Sequence, residues 1–158
     1  MSKTPKYSDN YMKTLLHASA GIFAAFFLFV FFSATLVAEF YYSPGDVVAV
    51  QQSILQAMWV YIPLILVAGG IGYFLGNERK ESIVKVKKQR MLAIILVSIF
   101  LLLPSIYALA SQADDYVRNT VFYGIEVFEL IVTALLMILL ALNARDGAKL
   151  TSDRPTVD

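Results

Sequence analysis

Four apolar stretches, separated by short polar ones, set the plan of this chain. They are Leu15 to Ala38 (LLHASAGIFAAFFLFVFFSATLVA), about Ser53 to Leu75 (SILQAMWVYIPLILVAGGIGYFL), Met91 to Ser111 (MLAIILVSIFLLLPSIYALAS) and Thr120 to Leu142 (TVFYGIEVFELIVTALLMILLAL). Each is close to the ~20 residues that a helix rising 1.5 Å per residue needs to cross a ~30 Å hydrocarbon layer. None alternates with the period of two expected of an outer-membrane barrel strand. The pattern predicts an all-α fold, an integral membrane four-helix bundle. Its spans fall at about 15–39, 53–76, 91–111 and 120–144, within one transmembrane domain, 15–145, flanked by tails 1–14 and 146–158.

Local punctuation fits these spans. Ser43-Pro44 is suited to cap and start the second helix, which then opens with the amphipathic lead-in DVVAVQQS. Asp114 and Asp115 are placed to cap the fourth helix, and Gly147 to stop it. Pro63 and Pro104 lie inside the second and third helices and are expected to kink them, freeing carbonyls that need partners. Lys3, Lys6 and Lys13 give the first stretch a basic leader, but it is longer than a signal-peptide core. A cut after Ala38 would also leave Leu36 where a small residue is required, so the stretch reads as an anchor.

Composition sharpens this picture. Hydrophobic residues make up 58% of 158 and mean hydropathy is +0.66, more apolar surface than a soluble domain of this size can enclose. With no cysteine there are no disulfides, thiolate metal sites or iron–sulfur clusters. His17 is the one histidine, which excludes bis-histidine haem ligation within one chain. The net charge of +1 conceals an asymmetry: twelve of the thirteen basic residues fall in the two tails and the stretch between the second and third spans, leaving Arg118 alone on the other side. By the positive-inside rule both termini are expected in the cytoplasm, with the chain in the plasma or inner membrane.

Helices associate in lipid by close packing of small residues. Ala18, Gly21 and Ala25 line one stripe of the first helix, and Gly69, Gly72 and Gly76 line the matching half of the second, so a close contact is expected there. GGIGYFLG sits inside an apolar helix rather than between strand and helix and is not a dinucleotide loop. The phenylalanines 26, 27, 29, 31 and 32 read as lipid-facing or packing residues, and Tyr41, Tyr42, Trp59 and Tyr61 as an aromatic belt.

The candidate chemistry lies in the fourth helix. Glu126 and Glu129 are three residues apart and share a face, about 9 and 14 Å in from Thr120 by helical rise. An ionisable group near the midplane costs ~2.5–3.5 kcal/mol to insert. No lysine or arginine lies within any span to neutralise the pair, so at least one is expected to hold its proton at neutral pH. The face extends to Asn119, Tyr123 and Thr133, with Thr35, Glu39, Gln52, Gln56, Ser105 and Tyr107 offering polar groups at similar depth. Three roles stay open: a structural one, in which protonated glutamates hydrogen-bond other helices or a partner subunit; a proton or cation pathway; and a site for a cationic or polar ligand.

His17 offers haem only an incomplete ligand set, and no other cofactor or metal is expected. The stretch RKESIVKVKKQR, with Arg79, Lys80, Lys85, Lys87, Lys88 and Arg90, is expected to fix topology and touch anionic lipid; it is too short and too close to the membrane for nucleic acid. No nucleophile, base or phosphate loop is visible. The leading expectation is a non-enzymatic accessory or structural subunit of a larger membrane assembly, with other subunits or further copies of itself as partners. The alternative is a small proton- or cation-translocating protein using Glu126 and Glu129, and a membrane enzyme comes third.

Overall fold

The computed structural model describes residues 6–76, 82–114 and 119–152, with side chains over 11–76, 82–112 and 119–149. These residues form four long helices: α1 (Lys6–Tyr41), α2 (Pro44–Leu75), α3 (Ser82–Ala110) and α4 (Thr120–Ser152). No strand occurs among the described residues. α1 packs on α2 and α4, and α3 packs on α2 and α4, which closes a ring of four.

Helix extends past the apolar runs at several ends. α1 already begins at Lys6, and α3 begins at Ser82, so most of RKESIVKVKKQR is helix rather than loop. Arg79 and Lys80 lie outside the described residues. Lysine, arginine and glutamine are good helix formers, so the apolar run marks the oil and not the helix. Gly147 does not stop α4 either, which continues to Ser152. Its missing side chain serves close approach instead: a Cβ there would lie 2.8 Å from Lys87 Nζ on α3.

Ser43 caps α2, accepting from the Asp46 amide at 3.4 Å, and Pro44 opens the first turn. The expected cap of α4 is displaced. Asp115 lies outside the described residues, Asp114 sits in a short 3-10 turn (Ser111–Asp114), and Asn119 Oδ1 accepts from the Phe122 amide at 2.9 Å. α3 contains a π turn at Ser98–Leu102, where the Leu103 amide bonds the Ser98 carbonyl five residues back. Pro104 follows directly. A proline removes one helical donor and crowds the preceding turn, and the wider π turn makes room for both effects.

Buried positions recur at alternating intervals of four and three. They are Ala24, Leu28, Phe31, Thr35 and Ala38 on α1; Val47, Gln51, Ile54, Met58, Tyr61, Ile65 and Ala68 on α2; and Phe122, Glu126, Glu129, Thr133, Leu136 and Leu140 on α4. That is the a/d seam of left-handed helix packing. In each span only 28–33% of the most apolar window is buried, and residues such as Phe23, Phe26, Phe29 and Trp59 point outward. Water would not tolerate such a surface, whereas a hydrocarbon layer solvates it. Tyr61 departs from the expected belt: it is buried in the seam, where its hydroxyl shares a 2.9 Å hydrogen bond with Ser98 of α3.

The small residues divide between two partners. A Cβ on Gly72 would lie 2.8 Å from Cε1 of His17, and His17 donates from Nδ1 to the Ala68 carbonyl at 2.8 Å, so the imidazole fills a notch in α2. Gly69 and Gly76 instead face α3, through Ile95 and Met91 and through Val84 and Lys88. Gly21 has open space where a Cβ would be, Ala18 is exposed and Ala25 is partly buried, so that stripe is not what meets the α2 glycines. The α1–α2 contact at this depth is histidine in glycine notch. Gly72→Ala is expected to destabilise the detergent-solubilised protein by about 1–3 kcal/mol through overpacking. Combining it with His17→Ala should recover much of that loss, and a double-mutant cycle on thermal unfolding reads the coupling.

Candidate functional site

The apolar interior is split in two. The larger cluster contains Phe31, Ile54, Met58, Tyr61, Ile106, Val132 and Leu136; the smaller, near the α1–α2 turn, contains Ala38, Val47, Val48, Leu109 and Phe122. Between them on each of three helices the seam turns polar. α1 supplies Thr35, α2 supplies Gln51, and α4 supplies Glu126, Glu129 and Thr133, all buried.

These side chains bond to one another. Gln51 Nε2 donates to Thr35 Oγ1 at 3.2 Å, and the Thr35 hydroxyl stands beside the Glu129 carboxyl. Thr133 Oγ1 lies 3.0 Å from Glu129 Oε1 and 2.8 Å from the carbonyl oxygen of the same residue, one turn back on α4. Three enclosed oxygens of the layer accept no hydrogen bond: Glu129 Oε2, Gln51 Oε1 and Glu126 Oε1. Buried polar atoms are nearly always paired, so such exceptions call for an explanation.

The expected stripe is thus partly redrawn. Glu126, Glu129, Thr133 and Thr35 face the interior together. Tyr123 does not: it is exposed, with Phe122 in the seam position beside it. Glu39 lies one turn outward of Thr35 and is partly buried. Gln56 and Tyr107 are exposed; Gln52, also largely exposed, donates to the Ala110 carbonyl at 3.3 Å. Ser105 is buried but bonds the Leu102 carbonyl of its own helix at 2.8 Å. Gln51 went unselected in the sequence, although its signal was present: counting 47, 51, 54, 58 and 61 places it in the seam and Gln52 outside.

The opposite end of the bundle holds the positive charge. Arg90 Nη1 on α3 reaches Asp146 Oδ2 at 2.9 Å and Asn143 Oδ1 at 3.1 Å on α4, while Arg145 approaches Asp146 Oδ1 at 3.4 Å. Lys88 Nζ stands 4.3 Å above the Tyr73 ring. Lys85 is exposed. Arg90 is thereby committed to an internal ion pair that joins α3 to α4. His17, engaged through Nδ1 with Ala68, lies at this same end of α1. Among the described residues no group of three or more histidine, cysteine, aspartate or glutamate side chains is placed to hold a metal ion.

Four apolar helices of this length, presenting most of their surface outward, define a multi-pass membrane protein. No protein-family model, curated protein or solved structure matches the chain. The site itself must therefore speak for its use.

Thr35 joins α1 to α2 in this layer through Gln51. Thr35→Val, nearly isosteric, should lower stability by about 0.6–2 kcal/mol, the range for one hydrogen bond between membrane helices. Thr35→Ser keeps the hydroxyl and should restore most of it, with thermal unfolding in one detergent as the comparison.

Proposed function

We propose that this chain is a non-enzymatic membrane protein that takes up and releases a proton or small cation at Glu129, in the manner of a small translocating protein. One observation carries the reading: a carboxyl enclosed in the bundle, with Oε2 unbonded, beside an enclosed amide whose Oε1 is also unbonded. Both are acceptors, so what the layer lacks is positive charge or hydrogen. No basic side chain of the described spans lies on this half of the helices, since Lys13, Lys85, Lys87, Lys88, Arg90, Arg145 and Lys149 all fall toward the other end. Glu126, one turn away on the same seam, is a second station for the same ion.

In this reading the chain sits in the plasma or inner membrane with both tails and the basic ends of α3 and α4 in the cytoplasm, and Pro63 and Pro104 are its kink points. Arg79, Lys80, Lys85, Lys87, Lys88 and Arg90 then meet anionic lipid. The chain's lack of cysteine makes orientation simple to test. Tyr42→Cys should react with an impermeant maleimide from outside intact cells, and Gln89→Cys only after lysis; the reverse pattern removes the assignment.

Translocation is tested by ion flux into liposomes carrying the purified protein. Wild type should dissipate an imposed gradient, and Glu126→Gln/Glu129→Gln should not, while eluting and melting like wild type. Equal flux in both would sink the reading.

A second reading is an accessory subunit of a larger assembly, in which Glu129 only clamps helices. It is supported by the bond from Gln51 to Thr35, which joins α2 to α1, and by the Thr133 hydroxyl on the Glu129 carboxyl within α4. Native mass spectrometry from mild detergent separates the two. A stoichiometric partner subunit, with no flux from the isolated chain, favours the accessory role.

A further inference from the structure

Resting on Glu129 as the working group, we infer that its ligand is a proton and not a metal cation, carried on Oε2 as a neutral carboxylic acid that faces Gln51.

The two carboxyl oxygens live in unlike surroundings. Oε1 shares the one Thr133 hydroxyl hydrogen, at 3.0 Å, with the Glu129 carbonyl oxygen at 2.8 Å, whereas Oε2 accepts from nothing although the residue is fully enclosed. An ionised carboxylate has two acceptor oxygens and needs donors at both; a neutral acid has one acceptor oxygen and one that donates. The observed asymmetry is that of the acid, with Oε1 as carbonyl and Oε2 as hydroxyl.

Gln51 supplies the matching acceptor. Its Nε2 is spent on Thr35 at 3.2 Å, and its Oε1 is enclosed without a donor. Gln51 is bonded to Thr35, and Thr35 stands beside the Glu129 carboxyl, so the two unbonded oxygens belong to groups gathered about a single hydroxyl.

A metal fits poorly. Hard cations such as calcium and magnesium gather about six or more oxygens, and here Thr133 Oγ1 is already engaged with Glu129 Oε1 and Thr35 Oγ1 with Gln51 Nε2. Capturing a metal would break those bonds, whereas a proton completes the set. The titratable neighbours along each helix are Glu39 on α1, Asp46 and Tyr61 on either side of Gln51 on α2, Tyr107 on α3 and Glu126 on α4. None is basic.

The test is infrared difference spectroscopy on full-length protein in liposomes, following the carbonyl stretch of a protonated carboxylic acid against pH. The band is expected at neutral pH in wild type and in Glu126→Gln, to vanish in Glu129→Gln, and to shift in frequency in Gln51→Leu, where its hydrogen-bond acceptor is gone. A merely structural glutamine would not move that frequency. Sodium, potassium or calcium at fixed pH should leave the band unchanged. Absence of the band at neutral pH, or its loss on adding one of those cations, overturns the proton assignment even where flux still depends on Glu129. Conversely, an acid band in a protein whose flux ignores Glu129→Gln supports the proton on Oε2 while removing translocation.

Discussion

The rest of this structure depends on one polar layer: Thr35, Gln51, Glu129 and Thr133, gathered from α1, α2 and α4 between two apolar clusters. In hydrocarbon a polar group without a partner is costly, so each of these side chains constrains the helices that carry the others. Leucine in the larger cluster can exchange one lipid contact for another at little cost. Glutamate cannot. The layer therefore fixes rotation and depth together, and the apolar clusters on either side fill in around a geometry it has chosen.

The remaining contacts divide the work by depth. At the basic end, His17 seated over Gly72 ties α1 to α2, and Arg90 with Asp146 ties α3 to α4. In the middle, Tyr61 and Ser98 join α2 to α3 beside the π turn. Toward the other end the polar layer brings α4 onto α1 and α2. The pairs α1–α2, α2–α3 and α3–α4 are thus each joined by at least one polar contact, and these contacts do not fall at a common level. Between helices in lipid the hydrophobic effect offers no net drive, so such contacts and close packing carry what specificity there is.

Much of this was legible in the chain because oil is a simple solvent to read. Length and apolarity locate four helices, and Glu126 and Glu129 announce themselves by being where charge is expensive. Rotational detail was less legible, for a definite reason. A face drawn by polarity alone groups Asn119, Tyr123, Glu126 and Glu129, yet Asn119 leaves the seam to cap α4 and Tyr123 turns outward with its neighbour Phe122 inside. Tyrosine is at home in lipid-facing positions and phenylalanine in either, so side-chain polarity does not separate them. The four-three spacing does, and it also separates Gln51 from Gln52 and Tyr61 from Trp59. Glycine misled similarly. Gly69, Gly72 and Gly76 mark close approach, but what approaches is a methionine and isoleucine, an imidazole, and a lysine with valine, none of which the α1 stripe of Ala18, Gly21 and Ala25 foretells.

The glutamates also bear on why this bundle has one arrangement. A buried polar residue in an apolar seam specifies register at some expense in stability. Turning α4 by one residue would carry Glu129 toward the lipid face and set Phe128 or Leu130 against Thr35 and Gln51. That would strand a carboxyl in oil, an error large compared with the ~0.6 kcal/mol of a typical hydrogen bond between membrane helices, so the alternative register is strongly disfavoured even though its apolar packing would be nearly as good. The same reasoning sets a condition on any function at this site. Glu129 is tolerable only while its oxygens have partners, so a change in its protonation must be met by a matching change at Thr35 or Gln51. Those two residues lie on the helices that His17 and Gly72 hold together, which leaves side-chain torsions of the threonine and glutamine, rather than separation of α1 from α2, as the least costly way for the layer to respond.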